Sequence, residues 1–115
     1  MKAAKGPEQA THILLGTLDL LVLKTLQRGA QHGFGIAQYV ETASEGLLRV
    51  EDGSLYPALH RLERQGLVAS RWVKTEAGRR ARVYELTKEG RRELAGRIEH
   101  WDTLRRGVKR VLRAS

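Results

Sequence analysis

Residues 52–66 read DGSLYPALHRLERQG, and the form this stretch takes decides how the rest of the chain is organised. Advancing about 100° per residue from Leu55, the positions of Leu59, Leu62 and Gly66 return to within about 40° of it, with Ala58 beside them. The spacing predicts one helix with an apolar core side. Ser54 stands where a capping residue is wanted, and Pro57 then falls in the first turn, where a missing N–H removes no intrahelical bond. The side away from Leu55 carries Tyr56, Pro57, His60, Arg61 and Arg64. A face that only meets water has no need of a tyrosine beside a proline. A ring, a histidine and two arginines suit a partner that offers anions and hydrogen-bonding edges.

Downstream of Gly66 the period changes from that of a helix to that of strands. LVASRWVK (67–74) and ARVYEL (81–86) are rich in Val, Trp and Tyr and read as two strands, with TEAGRR (75–80) as the turn between them. The result is a β-hairpin with a basic tip. Lys74, Arg79 and Arg80 crowd that tip, Trp72 is expected to be a core or hairpin-packing residue rather than a ligand platform, and Tyr84 and Leu86 are expected to point inward. Arg82 suits equally a brace for the hairpin and a phosphate contact. Thr87 then caps a last helix running to about Arg113. Its Leu94, Ile98, Trp101, Leu104 and Val108 recur at close to heptad spacing.

Upstream, GTLDLLVLKTL (16–26) predicts a first helix capped by Thr17, with Asp19 in its first turn near the positive end of the helix dipole, and stopped by Gly29. Leu18, Leu20, Leu21, Val22, Leu23 and Leu26 make it apolar on more than one side, as in a helix buried from several directions. In so short a chain the second covering surface is expected from another subunit, which assigns Leu18 and Leu21 to a dimer interface. HGFGIAQYVETASEG (32–46) predicts a second helix through Ile36, Ala37, Val40 and Ala43, with Gly33 and Gly35 forming a tight approach to it, and LLRVE (47–51) a short extended piece. Helix, helix, short strand, helix, strand, basic turn, strand, long helix is the order of a winged helix-turn-helix, although an unrelated α+β domain can share it.

Charge supports the nucleic-acid reading. The 115 residues carry a formal net charge of +8, unevenly spread. Residues 1–50 hold five basic against four acidic side chains, and residues 51–115 hold sixteen against nine. An excess of that kind favours a polyanionic partner, nucleic acid before an acidic membrane surface or an acidic protein. The absence of cysteine excludes disulfides, zinc–thiolate sites and cysteine nucleophiles, and fits a cytoplasmic protein. No apolar run is long enough to span a bilayer, and residues 1–10 have no signal-peptide pattern. The four histidines, His12, His32, His60 and His100, do not fall at metal-ligand spacing, no serine sits in a nucleophile constellation, and no cofactor motif is present. An enzyme is not expected.

Four stretches carry a family resemblance: GTLDLLVLKTL (16–26), HGFGIAQYV (32–40), GSLYPALHRLERQGLV (53–68) and RVYELTKEGRREL (82–94). Together they resemble the PadR-like transcriptional regulators, which share a leucine-rich first helix, an H-G-Y-x-I start to the second, an L-Y-P-x-L-x-x-L helix and an R-x-Y-x-[IL]-T-x-x-G segment. Phe34 replaces the usual tyrosine. The resemblance covers about residues 13–112, in the short form of the family with one C-terminal helix. It implies a homodimeric repressor that binds double-stranded DNA.

The expected organisation is therefore mainly α with a small β-hairpin. A flexible arm covers residues 1–11, a winged helix-turn-helix covers 12–86, and a C-terminal dimerisation helix covers 87–115. DNA contacts are expected from Ser54, Tyr56, His60, Arg61, Arg64, Lys74, Arg79 and Arg80. The dimer interface is expected from Leu18, Leu21, Leu94, Ile98, Trp101, Leu104 and Val108. Trp101 also suits a small planar aromatic effector stacked at the dimer axis, as in family members that sense drugs or phenolic compounds. The rival is a basic winged-helix adaptor that meets an acidic protein or a membrane surface without binding an operator. An RNA binder would want more stacking rings than Tyr56 alone provides.

Overall fold

The computed structural model describes residues 11–12 and 15–115. The order is β1 (Thr11–His12), α1 (Leu15–Gln27), β2 (Gln31–His32), α2 (Gly33–Ala43), β3 (Leu48–Arg49), α3 (Asp52–Arg64), β4 (Val68–Lys74), β5 (Arg80–Leu86) and α4 (Lys88–Arg113). β4 and β5 form the hairpin, in register from Val68 opposite Leu86 to Lys74 opposite Arg80. β2 adds a third antiparallel strand on the far side of β5. β1 and β3 pair in parallel, Thr11 with Leu48 and His12 with Arg49. Apart from Thr11, the arm expected over residues 1–11 lies outside the described residues.

The core forms around α1. It packs against α2, α3, α4 and β5 of its own chain, which explains why its sequence is apolar nearly all round. Leu18, Val22, Leu23 and Leu26 are buried there with Ile36 and Val40 of α2, Leu55, Leu59 and Leu62 of α3, Tyr84 and Leu86 of β5, and Leu94 of α4. Two interface assignments are corrected by this. Leu18 and Leu94 are each 1% exposed inside the chain's own core, so neither offers a surface to a second subunit. Leu21 is half-buried, while Ile98, Trp101, Leu104 and Val108 are exposed.

Four local expectations at helix starts change as well. α1 begins at Leu15, so Thr17 lies inside it and Asp19 falls in the second turn. Glu51, not Ser54, is the N-cap of α3. Pro57 consequently belongs to the second turn and has no N–H to give the Gly53 carbonyl, which lies at the exposed start of the helix. Other signals mark the ends as expected. The Thr87 hydroxyl accepts from the Gly90 N–H to cap α4. Gly66, at φ +78°, closes α3 with its N–H bonded to the Glu63 carbonyl and the Leu67 N–H bonded to the Leu62 carbonyl, the paired bonds of a Schellman turn.

Candidate nucleic-acid interface

α3 is held by its apolar side. Leu55, Ala58, Leu59 and Leu62 are fully buried, while Ser54, His60 and Arg64 stand exposed on the outside. The two sides are those set by the spacing of the sequence. Tyr56 is not free in the same way. Its ring lies over Gly33, the first residue of α2, so that a Cβ at Gly33 would stand 2.5 Å from the phenol oxygen. Tyr56 therefore joins the two helices of the helix-turn-helix and leaves only part of its ring to solvent. His32 caps α2 through Nδ1, which accepts from the Gly35 N–H at 3.0 Å, and Gly35 approaches the Gln31 side chain closely. These contacts account for the H-G-F-G stretch without a ligand.

Arg61 departs from the expected surface. Its Nη2 lies 2.6 Å from Oδ1 of Asp19 on α1, and its side chain is mostly covered. On the helical wheel Arg61 sits at the flank of the outward arc, and the flank is where α1 packs. Asp19 itself is buried, not at a helix start as expected from the sequence.

The hairpin adds a cationic surface beside α3. Side chains alternate across a strand, so Ser70, Trp72 and Lys74 share one face with their partners Tyr84, Arg82 and Arg80. At the inner end of this face Tyr84 is buried in the core. Burial pushes its phenol above the ordinary tyrosine value, against the opposing pull of Arg82. In the middle, Ser70 Oγ donates to Glu63 of α3 at 2.6 Å and accepts from Arg82 Nε at 3.0 Å, and the Arg82 guanidinium lies 3.6 Å from Glu63. Arg82 is thus a brace between the hairpin and α3. At the outer end the exposed Trp72 ring carries two cations, with Arg80 4.8 Å and Arg82 5.4 Å from its centroid. Lys74 and Arg79 complete the exposed tip. Trp72 is therefore a hairpin-packing residue and not a core one, and its i, i+8 and i, i+10 spacings to Arg80 and Arg82 become contacts only once the register is known.

α3 and the hairpin, braced together through Glu63, Ser70 and Arg82, each carry exposed donors, Ser54, His60 and Arg64 on the helix and Lys74, Arg79 and Arg80 on the hairpin. Cations placed in this way can neutralise phosphates, and an exposed helix beside a basic hairpin is the arrangement that winged helix-turn-helix proteins set into a groove. Among the described residues no group of histidines and acids could hold a metal ion, and no helix is long and apolar enough to cross a membrane.

A second surface lies along α4. Beyond Leu94 its stripe is uncovered. A groove of about 610 Å³ between α1 and α4 is lined by Leu20, Arg97, His100, Trp101 and Leu104 among others. A second, of about 400 Å³, runs from Trp101 past Val108 to Leu112. Trp101 borders both.

Comparison with known proteins places these features in a family. Residues 22–96 match the family described as "Transcriptional regulator PadR-like family". Transcriptional regulator Rv3488 of Mycobacterium tuberculosis is 44% identical over 63 residues, which are 55% of this chain and 55% of that protein, so the likeness spans little more than half of the relative. The structure of a PadR family transcriptional regulator from Eggerthella lenta superposes with a TM-score of 0.74 at 35% identity, covering 87% of this chain and 85% of the other. A PadR family transcription regulator from Clostridium difficile gives a TM-score of 0.72 at 28% identity over 83% and 97% of the two chains.

Proposed function

The chain belongs to the PadR-like family of transcriptional regulators, and from that premise we propose that it is a cytoplasmic homodimeric repressor that binds a two-fold operator. The observation that carries this reading is the exposed cationic hairpin braced to α3 through Glu63, Ser70 and Arg82, next to a helix whose His60 and Arg64 are exposed. His60 and Arg64 project from the centre of the exposed side of α3, where they would reach base edges in the major groove. Ser54 and the exposed edge of Tyr56 would meet phosphates near the helix start, and Lys74, Arg79 and Arg80 would follow the backbone as a wing. Arg61, engaged by Asp19, is left out of this set. The organisation proposed is a DNA-binding unit through residue 86 and a dimerising helix from residue 87.

Dimerisation is supported by the uncovered stripe of Ile98, Trp101, Leu104 and Val108, continued by Val111 and Leu112. Charge adds a direction. All four acids of α4, Glu89, Glu93, Glu99 and Asp102, lie in its first fifteen residues, whereas Arg105, Arg106, Lys109, Arg110 and Arg113 follow with no acid among them. Residues 88–102 balance those acids with Lys88, Arg91, Arg92 and Arg97, so antiparallel pairing of two copies sets each cationic end against a neutral stretch, and parallel pairing sets cation against cation. A planar aromatic effector would enter at Trp101, where an apolar ring borders both grooves, and would act only by preferring one arrangement of the two winged units.

The test is selection of binding sites from random DNA, followed by affinity measurements over a range of salt. A two-fold site and a steep fall of affinity with salt are expected. Affinity indifferent to salt, or no enrichment of any sequence, overturns the reading. Titration of planar dyes while following tryptophan emission, with Trp101→Ala as control, tests the effector.

A further inference from the structure

Asp19 is the single acid of α1, among the residues LGTLDLLVLKTLQ, and it is buried where a leucine would pack. A carboxylate in such a place is unfavourable unless it is paired. It is paired twice, on two different helices. Oδ1 lies 2.6 Å from Arg61 Nη2 of α3, and Oδ2 lies 3.7 Å from Arg97 Nη1 of α4. Arg97 in turn is held by Glu93 at 2.8 Å. Two carboxylates and two guanidiniums form a neutral set that ties three helices together.

The two helices tied through α1 have separate tasks in the reading above, one toward DNA and one toward the second copy. Both pack on α1, and no comparable packing joins them to each other among the described residues. Leucine contacts across such a joint tolerate small sliding and rotation, because dispersion and hydrophobic burial have little direction. A carboxylate with one oxygen assigned to each partner has direction, and buried polar pairs of this kind are best attested as devices that fix register. In a two-fold dimer the separation of the recognition helices equals twice the displacement of α3 from the axis that α4 defines.

We propose that Asp19, through Arg61 on α3 and Arg97 on α4, is the positioning residue that sets the operator half-site spacing. The proposal rests on the operator-binding dimer described above. The scale is suitable: one base pair of spacer moves a half-site by about 3.4 Å along the DNA axis, with about a tenth of a turn of rotation. Because the two-fold axis doubles any displacement, a slip of α3 against α4 by about half that distance would be read as a change in preferred spacing.

The experiment uses the operator selected by the wild-type protein, rebuilt as a series in which only the spacer between half-sites is lengthened or shortened. Affinities are measured for wild type, Asp19→Asn, Arg61→Met and Arg97→Met. Wild type is expected to show one optimum, with a loss of about tenfold or more for a spacer changed by one base pair. Arg97→Met and Arg61→Met keep the half-site sequence but lose that sharpness, with neighbouring spacers coming to within about threefold, or with the optimum moved by one base pair. Where Asp19→Asn fails to fold, the two arginine variants decide, since each leaves Asp19 one cationic partner. A loss of affinity equal at every spacing makes the set a fold stabiliser and overturns the proposal. An unchanged, sharp optimum in both arginine variants does the same. If the wild type selects no paired half-sites, the operator reading itself fails, and the proposal falls with it.

Discussion

The ring of Tyr56 lies on Gly33: a methyl group added at that glycine would stand 2.5 Å from the phenol oxygen and 2.8 Å from the ring carbons beside it. Two motifs separated by some twenty residues of sequence, H-G-F-G and L-Y-P, are therefore two halves of one contact, the joint between α2 and α3. Gly33→Ala should force the ring aside and destabilise the fold by about 1–3 kcal/mol, the usual range for overpacking, with a parallel loss of DNA affinity. Urea denaturation checks the first, and anisotropy on the selected operator checks the second. In a Tyr56→Ala background the same alanine should cost much less, because the two changes share one contact. Equal cost in both backgrounds would show that the glycine serves something else.

Arg64 and the hairpin arginines should fail differently. Arg64→Ala should relax the base preference at one position of each half-site, by roughly 1–3 kcal/mol of discrimination. Arg79→Ala should weaken binding to all sequences and flatten the salt slope by about one unit. Arg80→Ala should do the same and also uncover the Trp72 ring, so its binding defect should come with a change in tryptophan emission that Arg79→Ala lacks. A uniform loss for Arg64→Ala would reassign it to a phosphate.

Sequence periodicity was a good guide wherever one face of an element was decisive. The buried side of α3, the strand pair, the inward Tyr84 and Leu86 and the Thr87 cap could all be read this way. It failed where several neighbours meet one element. An apolar surface all round α1 does not say whose atoms cover it, and the covering atoms turned out to be those of the same chain. Asp19 could be read as a helix-start charge because a lone acid carries no mark of its partners, which lie 42 and 78 positions away. Arg61 sat at the edge of the outward arc, where the wheel cannot tell solvent from a neighbouring helix.

Glu45 should be a site of easy stabilisation. It follows the C-cap of α2 with φ +55°, and its N–H bonds the Thr42 carbonyl while Gly46 N–H bonds the Glu41 carbonyl. This is the closing turn seen again after α3, but here a residue with a Cβ occupies the left-handed position that Gly66 holds there. Glu45→Gly should raise stability by about 0.5–1 kcal/mol, since relief of the left-handed strain exceeds the added entropy of the unfolded chain. A higher urea midpoint at unchanged slope is the expected sign. A lower midpoint would mean that the glutamate side chain contributes more than its backbone strain costs.

Tyr84 gives the fold an alkaline limit. Burial raises its phenol above the ordinary value of about 10, so the unfolded chain gives up this proton first as the pH rises. The stability it contributes is complete below about pH 10 and is lost as the pH climbs through the raised folded value. Relative to the wild type, Tyr84→Phe should therefore gain ground above pH 10 and show a constant difference below it. Denaturation at a series of pH values up to the alkaline range measures this difference. A difference that does not vary with pH would show that the phenol titrates alike in the folded and unfolded chain.

Leu94 and Leu104 lie on the same stripe of α4 but at different depths, and that contrast tests the dimer. Leu94 is 1% exposed and packed in the chain's own core, whereas Leu104 is 50% exposed and borders both grooves beside Trp101. A buried unpaired carboxylate is strongly destabilising, so Leu94→Asp should unfold the protein. Leu104→Asp places its charge where a monomer meets water, so the fold should survive while the association does not. Sedimentation at micromolar concentration should then give a dimer for wild type and a folded monomer for Leu104→Asp, with far-ultraviolet circular dichroism unchanged. The monomer should bind a single half-site weakly and lose preference for paired ones. Salt should change the wild-type dimer little, because antiparallel pairing of α4 keeps the cationic segments of the two copies apart and sets each against a stretch whose acids and bases balance. A Leu104→Asp protein that remains dimeric would move the interface off this stripe, and a wild-type dimer tightened by salt would favour the parallel arrangement, in which like charges meet.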